Sequence, residues 1–245
     1  MAELIRIQKL LAQAGIASRR SVETMIEKGL VKINNNIAKL GDKATINDEI
    51  KINNKIINLD KPNFVYYLLN KPKKTISTAK DPLKRTTVVD LIDTDQRIVP
   101  VGRLDYNTTG VLLLTNDLEL VNKLTHPKYQ IKRTYRVRIN EPLTLPEFKQ
   151  INKGVIVNGK MSHQIVDQVD TKSYLVTLHV GSYHHVKELF KALNKEVLTL
   201  KRISYANLTS EKLPEGAYRP LTLKELKDLK LIIKNNEENL KIKNK

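Results

Sequence analysis

Apolar positions near the start of the chain follow a helical rhythm. From Arg6 to Gly15, the residues Ile7, Leu10, Leu11 and Ala14 recur at three- and four-residue intervals, and Gly15 ends the run. Ser18 is placed to cap a second helix, Ser18 to Gly29, whose first turn carries Arg19 and Arg20. The period then shortens to two: a strand from Leu30 to Ile33, an Asn34-Asn35-Asn36 turn, and alternating segments to about Ile57. Asn58 to Asn63, with Asp60-Lys61-Pro62, interrupts the pattern and reads as a linker over 59–63, between a module of residues 1–58 and a larger domain of residues 64–235. The larger domain opens on an aromatic and apolar strand, Phe64 to Leu69. Further strands are expected at Arg97 to Pro100, Val111 to Leu114, Thr134 to Ile139, Gly154 to Val157, Leu175 to Val180 and Leu198 to Ser204. Helices are expected at Leu118 to Leu124, Leu145 to Asn152, His185 to Leu193 and, capped by Thr222, Thr222 to Asn235. The elements interleave without a regular strand-helix-strand alternation, which predicts an α+β chain with a mixed, mainly antiparallel sheet. Residues 236–245, rich in Lys and Asn, read as a basic flexible tail.

The 245 residues, 40% of them hydrophobic, suffice for one large domain or a small and a medium one. A net charge of +17 and a pI near 9.8 call for a polyanionic partner. No apolar run approaches the roughly 18 residues of a spanning helix, and Arg6, Gln8 and Lys9 break any signal-peptide core, so a cytoplasmic protein that meets nucleic acid rather than membrane is expected. The first 58 residues hold ten Lys and Arg against six acids, so most of the excess charge lies beyond them and the larger domain must touch the polyanion too. The absence of cysteine excludes disulfides, thiolate metal sites and a cysteine nucleophile. His126, His163, His179, His184 and His185 have no metal-ligand spacing, and no Gly-rich phosphate cradle is present, so the chemistry is expected to need neither metal nor cofactor.

The stretch Val101-Gly-Arg-Leu-Asp-Tyr-Asn-Thr-Thr-Gly110 sets one carboxylate, Asp105, beside Arg103 and feeds into the apolar run Val111 to Leu114. That layout suits a charge-tuned acid at a sheet edge. On chemistry alone Asp105 could equally be a turn former, and Arg103 its ion-pair partner or that of Asp117.

The residues around this turn resemble known families. Lys-Leu-Leu-Ala-Gln-Ala-Gly-Ile-Ala-Ser-Arg-Arg20 is similar to the alpha-L RNA-binding module of ribosomal-protein type. Four segments of the larger domain resemble, in order, those of the RsuA/RluB branch of the RNA pseudouridine synthases. They are Asn70-Lys-Pro, Val101 to Asp117, Lys132-Arg-Thr-Tyr-Arg-Val137, and Val180 to Phe190 with Leu200-Lys-Arg-Ile-Ser-Tyr205. The stretch through Asn122 to Gln130 looks most like the RluB type, which modifies large-subunit ribosomal RNA.

The resemblance implies isomerisation of uridine to pseudouridine on a base flipped out of its stack, with Asp105 as the catalytic carboxylate and Lys187 as the cation that keeps it charged. It implies that Tyr135 stacks on the base and places a phenol where it could take the C2′ proton, and that Leu200 packs against the base. Arg103, His184, His185 and Arg202 are expected on the RNA, with Arg6, Lys9, Arg19 and Arg20 gripping phosphates of the neighbouring helix. The bland readings are a half-buried strand tyrosine for Tyr135, a solvated helix lysine for Lys187 and a core leucine for Leu200. The segment from Val180 to Leu189 departs from the family's arginine-rich pattern: Ser182, Tyr183, His184, His185 and Glu188 stand in it, and a lysine lacks the two-pronged grip of arginine. The expected partner is 23S ribosomal RNA, as a stem-loop or in an assembling large subunit, bound by a monomer. A small-subunit 16S target of the RsuA type and a weakly active ribosome-assembly factor are the alternatives.

Overall fold

A computed structural model describes residues 3–60 and 62–243, so Lys61 of the expected linker and the last two residues of the expected tail lie outside the described residues. The chain divides into two compact units. One runs from the N-terminal end to Phe64 with Asp95–Arg97 and Asn116–Leu118, and the other holds the rest.

The smaller unit begins with a short strand β1 (Ile5–Arg6), then helices α1 (Ile7–Gln13) and α2 (Arg19–Glu27). The Ser18 side chain accepts from the Ser21 N–H at 3.1 Å, the cap its position predicts. Strands β2 (Val31–Ile33), β3 (Asn36–Ile37), β4 (Lys43–Ala44), β5 (Ile50–Ile52) and β6 (Lys55–Ile56) follow, with an antiparallel order β3-β2-β5-β6 and a separate β1-β4 pair. Asn34 and Asn35, and again Asn53 and Asn54, take positive φ in the two tight turns, a conformation asparagine tolerates better than other side chains. Ile7, Leu10, Leu11, Val22, Ile26, Val31 and Ile50 pack as its core, and Leu59 extends that core to the start of the expected linker.

The larger unit is built on β7 (Tyr66–Lys71), β8 (Val99–Pro100), β9 (Thr109–Thr115), helix α3 (Leu118–Thr125), β10 (Arg133–Ile139), α4 (Leu145–Lys153), β11 (Val155–Val157), β12 (Lys160–Ser162), β13 (Ile165–Asp170), β14 (Ser173–Leu178), α5 (His185–Lys191), β15 (Val197–Tyr205), β16 (Leu208–Thr209), β17 (Tyr218–Pro220) and α6 (Leu223–Lys243). The main sheet runs β13-β14-β10-β15-β9-β7-β17; β15 and β9 are parallel, and the other neighbours are antiparallel. The expected α+β, mainly antiparallel architecture is thus the observed one. Strand β9 is buried along its whole length. Its side chains alternate: Val111 and Leu113 enter a core with Leu120, Leu124, Leu229 and Ile233, whereas Leu112 and Leu114 enter another with Val88, Ile92, Ile98 and Leu104. A third core joins Val137, Tyr174 and Val176 to Val186, Leu189 and Phe190 of α5.

Several expected boundaries move. The opening strand is Tyr66–Lys71 rather than Phe64 to Leu69, because pairing with β9 extends to Lys71 opposite Gly110. Strand β14 ends at Leu178, two residues before Val180. Thr222 does cap α6: its hydroxyl accepts from the Glu225 N–H at 3.1 Å while the Glu225 carboxylate accepts from the Thr222 N–H at 2.9 Å. The helix continues past Asn235 through Lys243, so the segment expected as a flexible tail is helical as far as it is described. No Gly or Pro stops it, and its first residues are tied down. Asn236 donates to the Tyr129 carbonyl at 2.7 Å and Glu237 lies 3.8 Å from Lys123.

Candidate active site

The loop from Val101 to Thr108 is held from beneath. The Lys71 side chain, fully buried at the end of β7, brings its Nζ to the carbonyls of Asp105 (3.1 Å), Thr108 (2.9 Å), Tyr106 (3.3 Å) and Pro72 (3.0 Å). Burial pushes this ammonium down to about 8, opposed by the charges of Asp105 and Glu215. The Ser77 hydroxyl donates to the Leu104 carbonyl at 2.8 Å and accepts from its N–H at 3.0 Å. The Asp105 carbonyl closes the turn by accepting from the Thr108 N–H at 3.0 Å. With the backbone fixed on both sides of Asp105, its carboxylate is aimed rather than free.

That carboxylate meets the N-terminal end of α5. Lys187 Nζ lies 2.7 Å from Asp105 Oδ2, and His184 Nε2 lies 3.6 Å from Oδ1. The Asp105 side chain keeps 29% of its surface open, so it is reachable while paired. Lys187, read from the sequence as the cation for Asp105, therefore stands where that reading needs it, and Arg103 is exposed on the cleft wall instead of serving as the partner of Asp105.

Asp105 opens on a cleft of about 570 Å³, lined among others by Arg103, Tyr135, Tyr183, His184, Leu200 and Arg202. That volume lies in the range of small-molecule sites. Tyr135, half-buried on β10, is aimed by a bulge. Thr134 pairs with Ser204 but Tyr135 pairs with Arg202, so one residue of β15 is skipped where the strand passes the cleft. Leu200, 9% exposed, lines the cleft and belongs to the core beside Val137.

Two residues expected on RNA have internal work. Arg202 is 2% exposed, donates from Nε to the Val111 carbonyl at 2.7 Å and lies over the Tyr205 ring at 4.8 Å. Its guanidinium ties β15 to β9 while the residue also lines the cleft. His185 has both ring nitrogens engaged within the protein, Nδ1 accepting from the Ser182 N–H at 3.2 Å and Nε2–H donating to the Ser162 hydroxyl oxygen at 2.8 Å, and burial lowers its pKa. In the smaller unit Arg6, Lys9 and Arg19 line one cleft with Lys43; Arg20 is exposed outside that group.

Lys71, Ser77, Tyr183 and Asn158 were missed by sequence reasoning. Lys71 sits in the Asn70-Lys-Pro segment, whose signal was seen without a role. Asn158 donates to the Ser182 hydroxyl at 2.9 Å and to the Tyr183 carbonyl at 2.8 Å, contacts across more than twenty residues that no local pattern announces.

A carboxylate held on a braced loop, paired with a cation and open on a cleft, is the arrangement of an enzyme site. The chain belongs to the RNA pseudouridylate synthase family, whose model matches residues 65–212, in its RsuA-type branch with an S4 domain, matched over residues 5–50. It is 39% identical over 236 residues to the ribosomal large subunit pseudouridine synthase B of Bacillus subtilis (strain 168), covering 93% of this chain and 96% of that one. It is also 30% identical to the dual-specificity RNA pseudouridine synthase RluF of Escherichia coli (strain K12), covering 98% and 83%. Among solved structures, a crystal structure of a pseudouridylate synthase matches with a TM-score of 0.68 at 29% identity, over 92% of this chain and 99% of that one. The chain is an RNA pseudouridine synthase.

Proposed function

We propose that this enzyme isomerises one uridine of large-subunit, 23S ribosomal RNA, with Asp105 acting at the ribose C1′. The observation that carries the assignment of Asp105 is its pairing with Lys187 at 2.7 Å on a cleft large enough for a flipped nucleotide. In the reaction the C1′–N1 bond breaks, the uracil turns within the cleft, C5 bonds to C1′, and C5 gives up its proton while N1 takes one up, so no atom is gained or lost overall. The Lys187 ammonium, 2.7 Å from the Asp105 carboxylate, orients it for its work at C1′. Tyr135 receives the flipped uracil on its ring and Leu200 closes the apolar side, repaying part of the few kcal/mol that flipping costs. Arg103 and His184 face the RNA at the cleft, and Arg6, Lys9, Arg19 and Arg20 hold phosphates of the adjoining helix. The catalytic machinery occupies residues 64–235 and the module of residues 1–58 supplies grip; the enzyme works as a cytoplasmic monomer without a cofactor. The large-subunit assignment is supported by the kinship to the synthase B of Bacillus subtilis.

Pseudouridines of both ribosomal RNAs, mapped in a deletion strain complemented with wild type or with Asp105→Ala, test this reading. One large-subunit site should vanish on deletion and return only with the wild type. Restoration by Asp105→Ala would overturn the role of Asp105, and a site in 16S RNA would move the substrate to the small subunit.

A further inference from the structure

The segment from Gly181 to His185 builds an aromatic shelf at the cleft. The Tyr183 and His184 rings are stacked, with centroids 3.9 Å apart and planes 17° from parallel. The inner ring, His184, has its Nε2 3.6 Å from the Asp105 carboxylate; the outer residue, Tyr183, lines the cleft yet is 69% exposed. His184 adopts φ 49°, an uncommon left-handed conformation held by its surroundings. Those surroundings are the hydrogen bonds of Asn158 to Ser182 and Tyr183, and of Ser162 to His185, both from the β11–β12 hairpin. The stack is thus a braced shelf, one ring deep at the reactive carboxylate and one ring out at the rim.

A nucleotide flipped out of an RNA loop leaves its neighbours without a stacking partner, and proteins that read such loops offer aromatic rings to the exposed base faces. We propose that the outer face of Tyr183 is a stacking site for the unpaired base next to the flipped uridine in the RNA chain. The separation of roles follows from position. Tyr135 stands on the floor strand for the reacting uracil, whereas Tyr183 stands at the rim, one stacked ring removed from Asp105. The cleft surroundings carry Arg103 and Lys187, a basic setting that suits a base still attached to its phosphates. A base held there would fix the direction in which the RNA strand enters, because the flipped nucleotide and its neighbour would occupy two rings a set distance apart. The proposal rests on the reading of this cleft as a uridine site.

The test uses the full chain and an RNA hairpin carrying the target uridine in its loop, with 2-aminopurine placed in turn at each loop position beside that uridine. Stacking on tyrosine quenches this fluorophore. The wild type should quench one flanking position. Tyr183→Ala should abolish that quenching and weaken binding about tenfold, as expected for one lost aromatic–base stack. Tyr183→Phe should restore both, and Tyr183→Leu, which keeps apolar area without a π face, should restore neither. The exposed position leaves the thermal unfolding of all three variants unchanged. Unaltered quenching and affinity in Tyr183→Ala would overturn the proposal, as would failure of Tyr183→Phe to rescue, which would put the effect on the hydroxyl. A wild type that binds the hairpin without converting its uridine would instead sink the underlying assignment of the reaction.

Discussion

A lysine with no solvent exposure, surrounded by four carbonyl oxygens, sets the position of Asp105, the residue proposed to do the chemistry. Lys71 touches the backbone of Asp105 and not its carboxylate, so its contribution is positional: it replaces the hydrogen bonds that a tight loop cannot make to itself. The cost of that burial is visible in its titration. The native ammonium loses its proton near about 8, whereas the unfolded chain holds it to about 10.5. Between these values the unfolded state binds more protons, so stability should rise with pH there, by up to about 1.4 kcal/mol per pH unit. Urea unfolding of wild type and Lys71→Gln at pH 7.5, 8.5 and 9.5 should show the wild-type advantage growing above pH 8. A constant difference would mean that the buried ammonium titrates as it does in water.

The cleft lies where two elements meet, the parallel pair β9 and β15. Gly110 stands opposite Arg202 with φ +105°, and a Cβ placed there would lie 2.1 Å from the Arg202 carbonyl oxygen. Backbone cannot yield as a side-chain tip can, so Gly110→Ala should separate the strands and cost more than about 4 kcal/mol or abolish folding. Gly102→Ala is the contrast. Its φ is +73° but its nearest new contact is Thr125 Cγ2 at 3.9 Å, so only the left-handed strain of about 1–2 kcal/mol applies. Equal unfolding free energies for the two variants would refute this account of the strand junction. In the β11–β12 hairpin, Asn158-Gly159, both at positive φ, is a two-residue turn, a local signal that joins Val155–Val157 to Lys160–Ser162. Alternation is weak over residues 160–162 and 165–170, and β13 is an exposed edge strand with little apolar burial to show.

For the whole molecule, charge decides affinity more than shape does. An excess of +17 predicts RNA binding that weakens steeply with salt, with a log–log slope of about −0.7 to −0.9 per neutralised phosphate. If Arg19 and Arg20 each neutralise one phosphate, the double variant Arg19→Ala, Arg20→Ala should give a slope shallower by about 1.4 to 1.8. A parallel salt titration of wild type and variant on the same hairpin reads this directly, and identical slopes would remove the smaller unit from the binding surface. Arg20 stands apart from the cleft that gathers Arg6, Lys9, Arg19 and Lys43, so the single variant Arg19→Ala should account for the larger part of the change where that cleft is the phosphate site.

By itself the sequence determined the elements and the class: helical and alternating periods located most of the strands and helices, Ser18 and Thr222 marked caps, and ordered motifs named Asp105, Tyr135 and Lys187. These are local properties, carried by spacing and side-chain type. Tertiary structure alone decided which side chains reach which atoms. Arg202, expected on RNA, is tied to the Val111 carbonyl, His185 is a half-buried brace on Ser162, and Lys71 and Asn158 support the Asp105 loop and the Tyr183–His184 shelf. The physical reason is sequence separation. A hydrogen bond across thirty or ninety residues exists only once strand register is set, and register follows from how three cores fill, which no single segment records.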